Sequence, residues 1–242
     1  MNGAKNHILA QLEKEILPLQ GLRSCVHSNK VDVGLGAMHS AFPNGQFPLA
    51  AVHEFCCNSI EDVTASGGFV SGILSSLMHG SGATLWLSRT TSVFPHGLTQ
   101  FCIAPHHVLF ITAKKEKEII WVIEEALQCN TLSAVVGELP ELSFTASRRL
   151  QLLVEESGVP LFLLRHKPKN LSTSCVSRWR IQPIGSEIQD DLPGMGLPRW
   201  KVELLKIRNG KPGSWIVELD TNHFRVVYPQ TAVVTALQRK TG

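Results

Sequence analysis

The sequence predicts an α/β protein, with helices flanking a parallel sheet and an antiparallel C-terminal strand extension. Two observations support this fold class. Between residues 49 and 164, short and nearly all-apolar runs alternate with helical stretches, as in sheets whose strands are covered on both faces. After residue 170, apolar and polar side chains alternate, and an Asn-Gly pair separates two strand-like stretches.

Strands and helices alternate along most of the chain. The apolar runs predict strands over residues 49–55, 83–87, 108–112, 132–137 and 159–164. Helical periodicity predicts helices over residues 7–19, 68–79, 115–129 and 145–157. The last helix has Ser143 or Thr145 as its N-cap and Gly158 just past its end. With right-handed crossovers, this order predicts a parallel sheet wrapped by helices.

The C-terminal part has the pattern of an antiparallel sheet with one polar face. In residues 176–182, the side chains that face one way are Ser177, Trp179 and Ile181, and those that face the other way are Arg178, Arg180 and Gln182. Two more strands are predicted over residues 200–207 and 214–219, joined by a tight turn at 208–211. Residues 183–198 contain three prolines and three glycines, which predicts a loop.

This pattern divides the chain into three parts. Residues 1–30 are predicted to form an N-terminal helix and linker, residues 31–225 the core with its antiparallel extension, and residues 226–242 a C-terminal tail. The 242 residues, 43% hydrophobic and 18% charged, have ordinary globular composition, which excludes disordered and collagenous proteins. The first twenty residues lack the apolar block of a secretory signal, and no apolar run reaches the roughly 20 residues that span a bilayer. We therefore expect a cytoplasmic protein without a membrane association.

The predicted loop over residues 56–67, after the first strand, is the default place for a phosphate in such a sheet. It leads into Ser66, Gly67 and Gly68. A phosphate-binding P-loop needs a lysine and a hydroxyl residue after its second glycine, whereas Ile73 and Leu74 follow Gly72 here. The sequence therefore predicts a degenerate loop at Ser66, Gly67 and Gly68.

The charges around this loop also argue against a bound nucleotide. There is no lysine between Lys30 and Lys114, and Arg89 is the only arginine in that interval. Glu138, after the run 132–137, could serve as a magnesium carboxylate but stands alone. The six cysteines form no C-x-x-C pair, so we expect free, buried thiols rather than a metal or redox site. No catalytic triad is recognisable. We expect no enzyme activity, no cofactor and no metal.

The C-terminal part is the basic part of the chain. The net charge of +3 divides into −4 for residues 1–141 and +7 for residues 142–242. Arginine and lysine combined with tryptophan are typical of protein hot spots and of DNA backbone contacts, while a solvated basic face is the third alternative. The candidate contact residues are Arg165, Lys167, Lys169, Arg178, Arg180, Arg199, Trp200, Arg208, Lys211 and Trp215.

Several segments resemble the ImuA family of bacterial RecA-like proteins, which are encoded with the mutagenesis protein ImuB and an error-prone polymerase. They are VHEF at 52–55, ATLWLS at 83–88, TASRRL at 145–150, and PRW with GKPGSW between 198 and 215. The likeness covers roughly residues 50–220. It implies a RecA-like fold and a non-catalytic adaptor that joins an ImuB-like Y-family protein and an error-prone polymerase in SOS-induced translesion synthesis. It also implies RecA as a further partner, a weak DNA contact and self-association.

Two alternatives remain open beside this interpretation. RecA-like ATPases carry Gly-Lys-Thr in the first loop and a glutamate after the next strand, where this chain has Ser66-Gly67-Gly68 and Ser88-Arg89-Thr90. A degenerate but active RecA-type ATPase is one alternative. The other is a likeness to SulA, an SOS inhibitor of cell division that binds FtsZ and lacks the PRW–GSW extension. By the same resemblance to RecA, residues 165–176 lie where RecA has a DNA-binding loop.

Overall fold

The computed structural model describes residues 32–78, 82–90, 93–186, 196–220 and 223–227. Nine strands form one sheet: β1 Val52–Cys57, β2 Ala83–Ser88, β3 Val108–Thr112, β4 Leu132–Glu138, β5 Leu161–His166, β6 Ser177–Pro183, β7 Arg199–Ile207, β8 Gly213–Asp220 and β9 His223–Val226. Their order across the sheet is β3-β2-β4-β5-β1-β6-β7-β8-β9. The pairs from β3 to β6 are parallel, and those from β6 to β9 are antiparallel. The predicted α/β fold class is confirmed.

Among the described residues, three α-helices pack on the sheet: α1 Ile60–Leu77, α2 Glu116–Leu127 and α3 Phe144–Ser157. Short 3-10 segments lie at Gly36–Ala41, Pro43–Gly45, Pro95–Phe101 and Pro105–His107. None of the helices among the described residues has the length and apolar character needed to span a membrane.

The two faces of the sheet carry separate hydrophobic cores, because successive strand residues point to opposite sides. The larger core, on the α1 side, extends across the whole sheet and includes Phe55, Phe69 and Trp179. The second core lies under α2 and α3 and includes Ile119 and Leu150. Beyond β1, no described helix covers the α2–α3 side of the sheet. The antiparallel half therefore has one buried face and one open face.

Most of the predicted elements are confirmed within a few residues. β3 has the predicted bounds, but four of its five residues are exposed at the sheet edge, so the expectation that this apolar strand is covered on both faces is wrong. α3 begins after the predicted N-cap Ser143, whose Oγ accepts the Ala146 N–H at 3.1 Å. Gly158 ends that helix at φ 76°. In the turn between β7 and β8, Asn209 takes the positive φ expected of an Asn-Gly turn. The predicted helix over residues 7–19 lies outside the described residues, as do residues 1–31 and 228–242 of the predicted terminal parts.

β9 is a strand that the sequence pattern does not predict, and it completes the larger core. Phe224 is 2% exposed, and its ring centroid lies 4.6 Å from that of Phe69 and 6.2 Å from that of Trp200. Its backbone N–H donates to the Gly34 carbonyl at 2.8 Å. The last described strand is thereby fixed to the first described residues. At Gly36, a Cβ would lie only 2.7 Å from the Phe224 carbonyl oxygen.

Candidate functional site

The connection between β1 and α1, where a phosphate-binding loop would lie, is very short. β1 ends at Cys57 and α1 begins at Ile60, so only two residues intervene. The Ser59 hydroxyl accepts the Asp62 N–H at 3.2 Å, and the Asp62 carboxylate accepts the Asn58 N–H at 2.9 Å. The N–H groups of Asn58 and Asp62 are therefore bonded by the chain's own side chains, which satisfies donors that would otherwise face a ligand.

The first turn of α1 is also negatively charged, since Glu61 and Asp62 both lie there. The pKa of Glu61 is lowered by its own backbone N–H and by the Ser59 hydroxyl, which keeps this carboxylate ionised at neutral pH. Carboxylates are stabilising at the positive end of a helix dipole. They also repel a phosphate group from the place where a RecA-like ATPase would bind one.

Ser66, Gly67 and Gly68 lie inside α1, so their assignment to a degenerate loop is wrong. Ser66 is fully buried, and its Oγ lies 3.4 Å from Cys57 Sγ. A Cβ built on Gly68 would lie 3.2 Å from the ring of Trp200, and one on Gly67 would lie 3.9 Å from Trp86. The small residues allow two indole rings to approach the helix closely.

The strand ends nearby offer little for nucleotide chemistry. Glu138, at the end of β4, accepts a hydrogen bond from the Trp86 indole N–H at 3.2 Å. Burial raises the pKa of the Cys56 and Cys57 thiols to about 11, so both stay protonated and poorly nucleophilic. Within the described ranges, no three His, Cys, Asp or Glu side chains are grouped for metal binding.

The cysteines are only partly as expected. Cys56, Cys57 and Cys175 are buried free thiols, whereas Cys102 and Cys129 are exposed, so the expectation of burial is wrong for these two. Cys102 ends a 3-10 segment at φ 54°, and Cys129 follows α2, both positions at the surface.

Four polar residues of β1, β5, β6 and the β5–β6 segment form a buried cluster, and sequence reasoning missed Glu54 as its centre. Glu54 and Arg165 are both 0% exposed and form an ion pair, and Arg178 Nε lies 2.7 Å from Glu54 Oε2. The Thr173 hydroxyl donates to the same Glu54 oxygen at 3.1 Å. The only sequence signal was an acidic residue inside a strand whose neighbours are buried. Such a group must be paired.

The same two arginines hold the segment between β5 and β6. Arg165 donates to the Asn170 carbonyl at 2.9 Å and to the Pro140 carbonyl at 3.2 Å. Arg178 donates to the Leu171 carbonyl. Arg165 is therefore wrong as a candidate DNA or partner contact, because its guanidinium is fully committed inside the protein. Arg178, whose side chain is 14% exposed, has largely the same structural role.

A second buried polar chain links His53, Ser177 and Trp179. The Trp179 indole N–H donates to Ser177 Oγ at 2.7 Å, and Ser177 Oγ lies 2.7 Å from His53 Nδ1. His53 Nε2 lies 2.9 Å from the Pro48 carbonyl, which can only accept, so Nδ1 is the acceptor for Ser177. Burial lowers the pKa of His53 to about 3. Since His53 and Ser177 have no exposed surface, this contact is structural rather than a catalytic pair.

Both tryptophans of the predicted contact surface lie on the opposite side of the sheet from the arginines. Trp200 is 6% exposed and packs edge-on against Phe69 of α1, so its assignment as a contact residue is wrong. Trp215 is half-buried and packs against the same core. The combination of arginine with tryptophan on one face does not exist, because alternation along β7 and β8 sends these side chains inward.

The face of the antiparallel strands opposite the larger core is charged and internally paired. Lys201 and Arg225 are about half-exposed there, whereas the side chains of Arg199 and Glu218 are only 9% exposed. We call it the charged sheet face, formed by Arg180, Arg199, Lys201, Glu203, Glu218 and Arg225. Glu203 lies 3.6 Å from Arg180 and 3.1 Å from Lys201. Glu218 lies 3.4 Å from Arg199 and 2.7 Å from Arg225. Four cations share two carboxylates, so the face keeps an excess of positive charge.

The remaining candidates are spread over other parts of the surface. Lys167 and Lys169 are exposed after β5, and Lys211 is exposed in the turn between β7 and β8. Arg208 donates to the Ser174 carbonyl at 3.2 Å and lies 3.8 Å from a Glu155 oxygen on α3. The structure thus brings Arg180 and Arg199 together on the charged sheet face, but not the full predicted set.

Comparison with known proteins gives two similar proteins, both called Protein ImuA. They come from Caulobacter vibrioides strains NA1000 / CB15N and ATCC 19089 / CIP 103742 / CB 15. Each is 34% identical to the chain over 198 residues, which covers 76% of the chain and 81% of the relative. No protein-family model matches the chain.

Proposed function

The chain belongs to the ImuA family, and we propose that it is a non-catalytic accessory protein of SOS mutagenesis. Family membership supports involvement in damage-induced mutagenesis. In our proposal the protein acts in the cytoplasm as an adaptor that joins an ImuB-like Y-family protein to an error-prone polymerase during translesion synthesis. The proposal also includes RecA as a further partner, a weak contact with DNA, and self-association of the chain.

The structure at the beginning of α1 is the main support for a binding rather than a catalytic role. Where a RecA-like ATPase needs a phosphate-binding loop, two residues connect β1 to α1. The Ser59 hydroxyl bonds the Asp62 N–H in the first turn, and the Asp62 carboxylate bonds the Asn58 N–H just before it. Glu61 and Asp62 place two carboxylates in the first turn. A triphosphate would have to displace these bonds and approach like charges, which supports function without nucleotide turnover.

The charged sheet face is the surface that we propose for partner binding. It includes Arg199, Lys201 and Glu203 of the PRW–GSW extension, and no helix among the described residues covers it. Its side chains are already aligned by the sheet and by four ion pairs, which reduces the entropy lost on binding. An excess of cations on an otherwise paired surface fits an acidic protein surface.

Co-purification tests this proposal. The chain should co-purify with the ImuB-like protein and the polymerase, and charge reversal by Arg180→Glu with Lys201→Glu should abolish it. Lys114→Glu with Lys117→Glu, on exposed residues near the start of α2, is the matched control and should have no effect. FtsZ serves as the competing partner. Capture of FtsZ instead of the ImuB-like protein would favour the SulA-like alternative.

A further inference from the structure

The β5–β6 segment runs beside the start of α3 and is attached to it at three points. The Lys169 N–H donates to Glu141 at 3.1 Å, and the Ser174 N–H donates to the Ser147 hydroxyl at 2.9 Å. Between them, the Arg165 guanidinium bonds to carbonyls of both segments, those of Asn170 and Pro140. The two segments therefore form one rigid surface, supported from below by buried charges.

Two large apolar side chains are half-exposed on this surface. Phe144, the first residue of α3, is 50% exposed, and Leu171 is 48% exposed. Leu171 cannot turn inward by moving its backbone, because its carbonyl is bonded to Arg178. Exposed apolar groups that are held in place by a buried polar network are typical of binding surfaces, since little entropy is lost on contact.

The surroundings of these apolar groups are basic. Arg148, Lys167 and Lys169 are exposed, and none of their side chains forms an ion pair within the part of the chain that the structure describes. The one nearby carboxylate, Glu141, already accepts the Lys169 N–H and lies 4.0 Å from Arg165. We define the α3 docking surface as Phe144, Arg148, Lys167, Lys169 and Leu171.

We propose that the α3 docking surface binds an acidic protein segment that carries apolar side chains. The inference deepens the proposed function and rests on it, since it names a second binding surface of the adaptor. A protein segment is favoured over nucleic acid because exposed apolar groups beside charged groups are the arrangement of a protein interface.

A direct test uses a fluorescent synthetic peptide in which Asp and Glu alternate with Leu and Phe, measured by fluorescence anisotropy. The wild-type chain should bind it, and Leu171→Asp and Arg148→Glu should each weaken binding by about tenfold or more. Phe144→Asp should do the same while keeping the fold, because a carboxylate is favourable in the first turn of a helix. Leu109→Asp is the matched control, since Leu109 is 52% exposed on the far edge strand β3.

Each outcome decides a separate question. No binding of the peptide, equal binding by all variants, or equal binding of a peptide with Lys in place of the acids would overturn the proposal. Loss of oligo(dT) binding instead of peptide binding in Arg148→Glu would identify a nucleic-acid surface and also overturn it. If the peptide results hold but the ImuB-like protein and polymerase do not co-purify, the adaptor function fails while the surface stands.

Discussion

Glu54 and Arg165 form an ion pair in which neither side chain has any exposed surface, although 111 positions separate them in the sequence. Their attraction must offset the cost of removing both charges from water, and the added bonds to Thr173, Asn170 and Pro140 help to do so. The pair joins β1 to β5 and fixes the segment that carries the α3 docking surface.

Glu54→Gln should destabilise the protein strongly. The substitution leaves the Arg165 guanidinium buried without its counter-charge, which costs about 3–5 kcal/mol. The free energy of unfolding in urea measures this loss. Glu203→Gln, which removes the partly exposed carboxylate shared by Arg180 and Lys201, is the control and should cost about 1 kcal/mol. Equal effects of the two substitutions would contradict the structural role of Glu54.

Gly67→Ala should stabilise the protein by about 0.5–1 kcal/mol, because alanine is the better residue inside a helix and there is room for its Cβ. Gly72→Ala, one turn further along α1, should destabilise it, since its Cβ would lie 2.6 Å from the buried Phe224 ring. Thermal unfolding distinguishes the two. If Gly67→Ala is as harmful as Gly72→Ala, the placement of residue 67 in α1 is wrong.

His53 should make the protein less stable as the pH falls. In the unfolded chain its imidazole takes up a proton near pH 6.5, whereas burial keeps it neutral in the folded protein down to about pH 3. Between these two pH values the unfolded state binds more protons than the folded state. As the pH falls through this range, His53 therefore lowers the free energy of unfolding by up to about 1.4 kcal/mol per pH unit.

Urea unfolding of the wild type and of His53→Gln at a series of pH values isolates this contribution. Glutamine can still donate to Pro48 and accept from Ser177, so the variant should fold but lose the slope that His53 causes. The difference between the two stability curves should therefore change steadily below pH 6.5. Parallel curves would show that His53 does not titrate on unfolding.

Magnesium–ATP should leave the melting temperature unchanged. A ligand that binds only the folded state at about 100 times its Kd adds about 2.7 kcal/mol of stability, which a thermal shift detects readily. We expect no such shift, because the Ser59 hydroxyl already bonds an amide at the start of α1 and the carboxylates of Glu61 and Asp62 repel phosphate. A clear rise in melting temperature with the nucleotide would favour the degenerate ATPase over the adaptor.

The regular elements were predictable where local signals and tertiary packing agree. β2, β4 and α3 follow from apolar runs, helical periodicity, the Ser143 cap and Gly158. The start of α1 was not predictable, because a Ser-Gly-Gly stretch has low helix propensity. Only the approach of Trp86 and Trp200, from distant strands, explains why small residues stand in that helix.

The candidate site was less accessible to sequence reasoning than the fold. Alternation in β6 correctly separated Arg178 and Arg180 from Trp179. Arg165 was wrongly predicted to be a surface contact because a cation after a predicted strand is usually solvated. Nothing in the local sequence indicates that it pairs with the buried Glu54. The exposure of Phe144 and Leu171 likewise depends on how two segments lie side by side, which a single sequence does not specify.

Phe224 has a consequence for chain truncation. The aromatic ring that fills the space beside Phe69 and Trp200 belongs to the final described strand. A chain cut before His223 would lose that ring and leave a void in an apolar core, which lowers the free energy of unfolding. The last described strand is therefore part of the folded core rather than a dispensable addition to it.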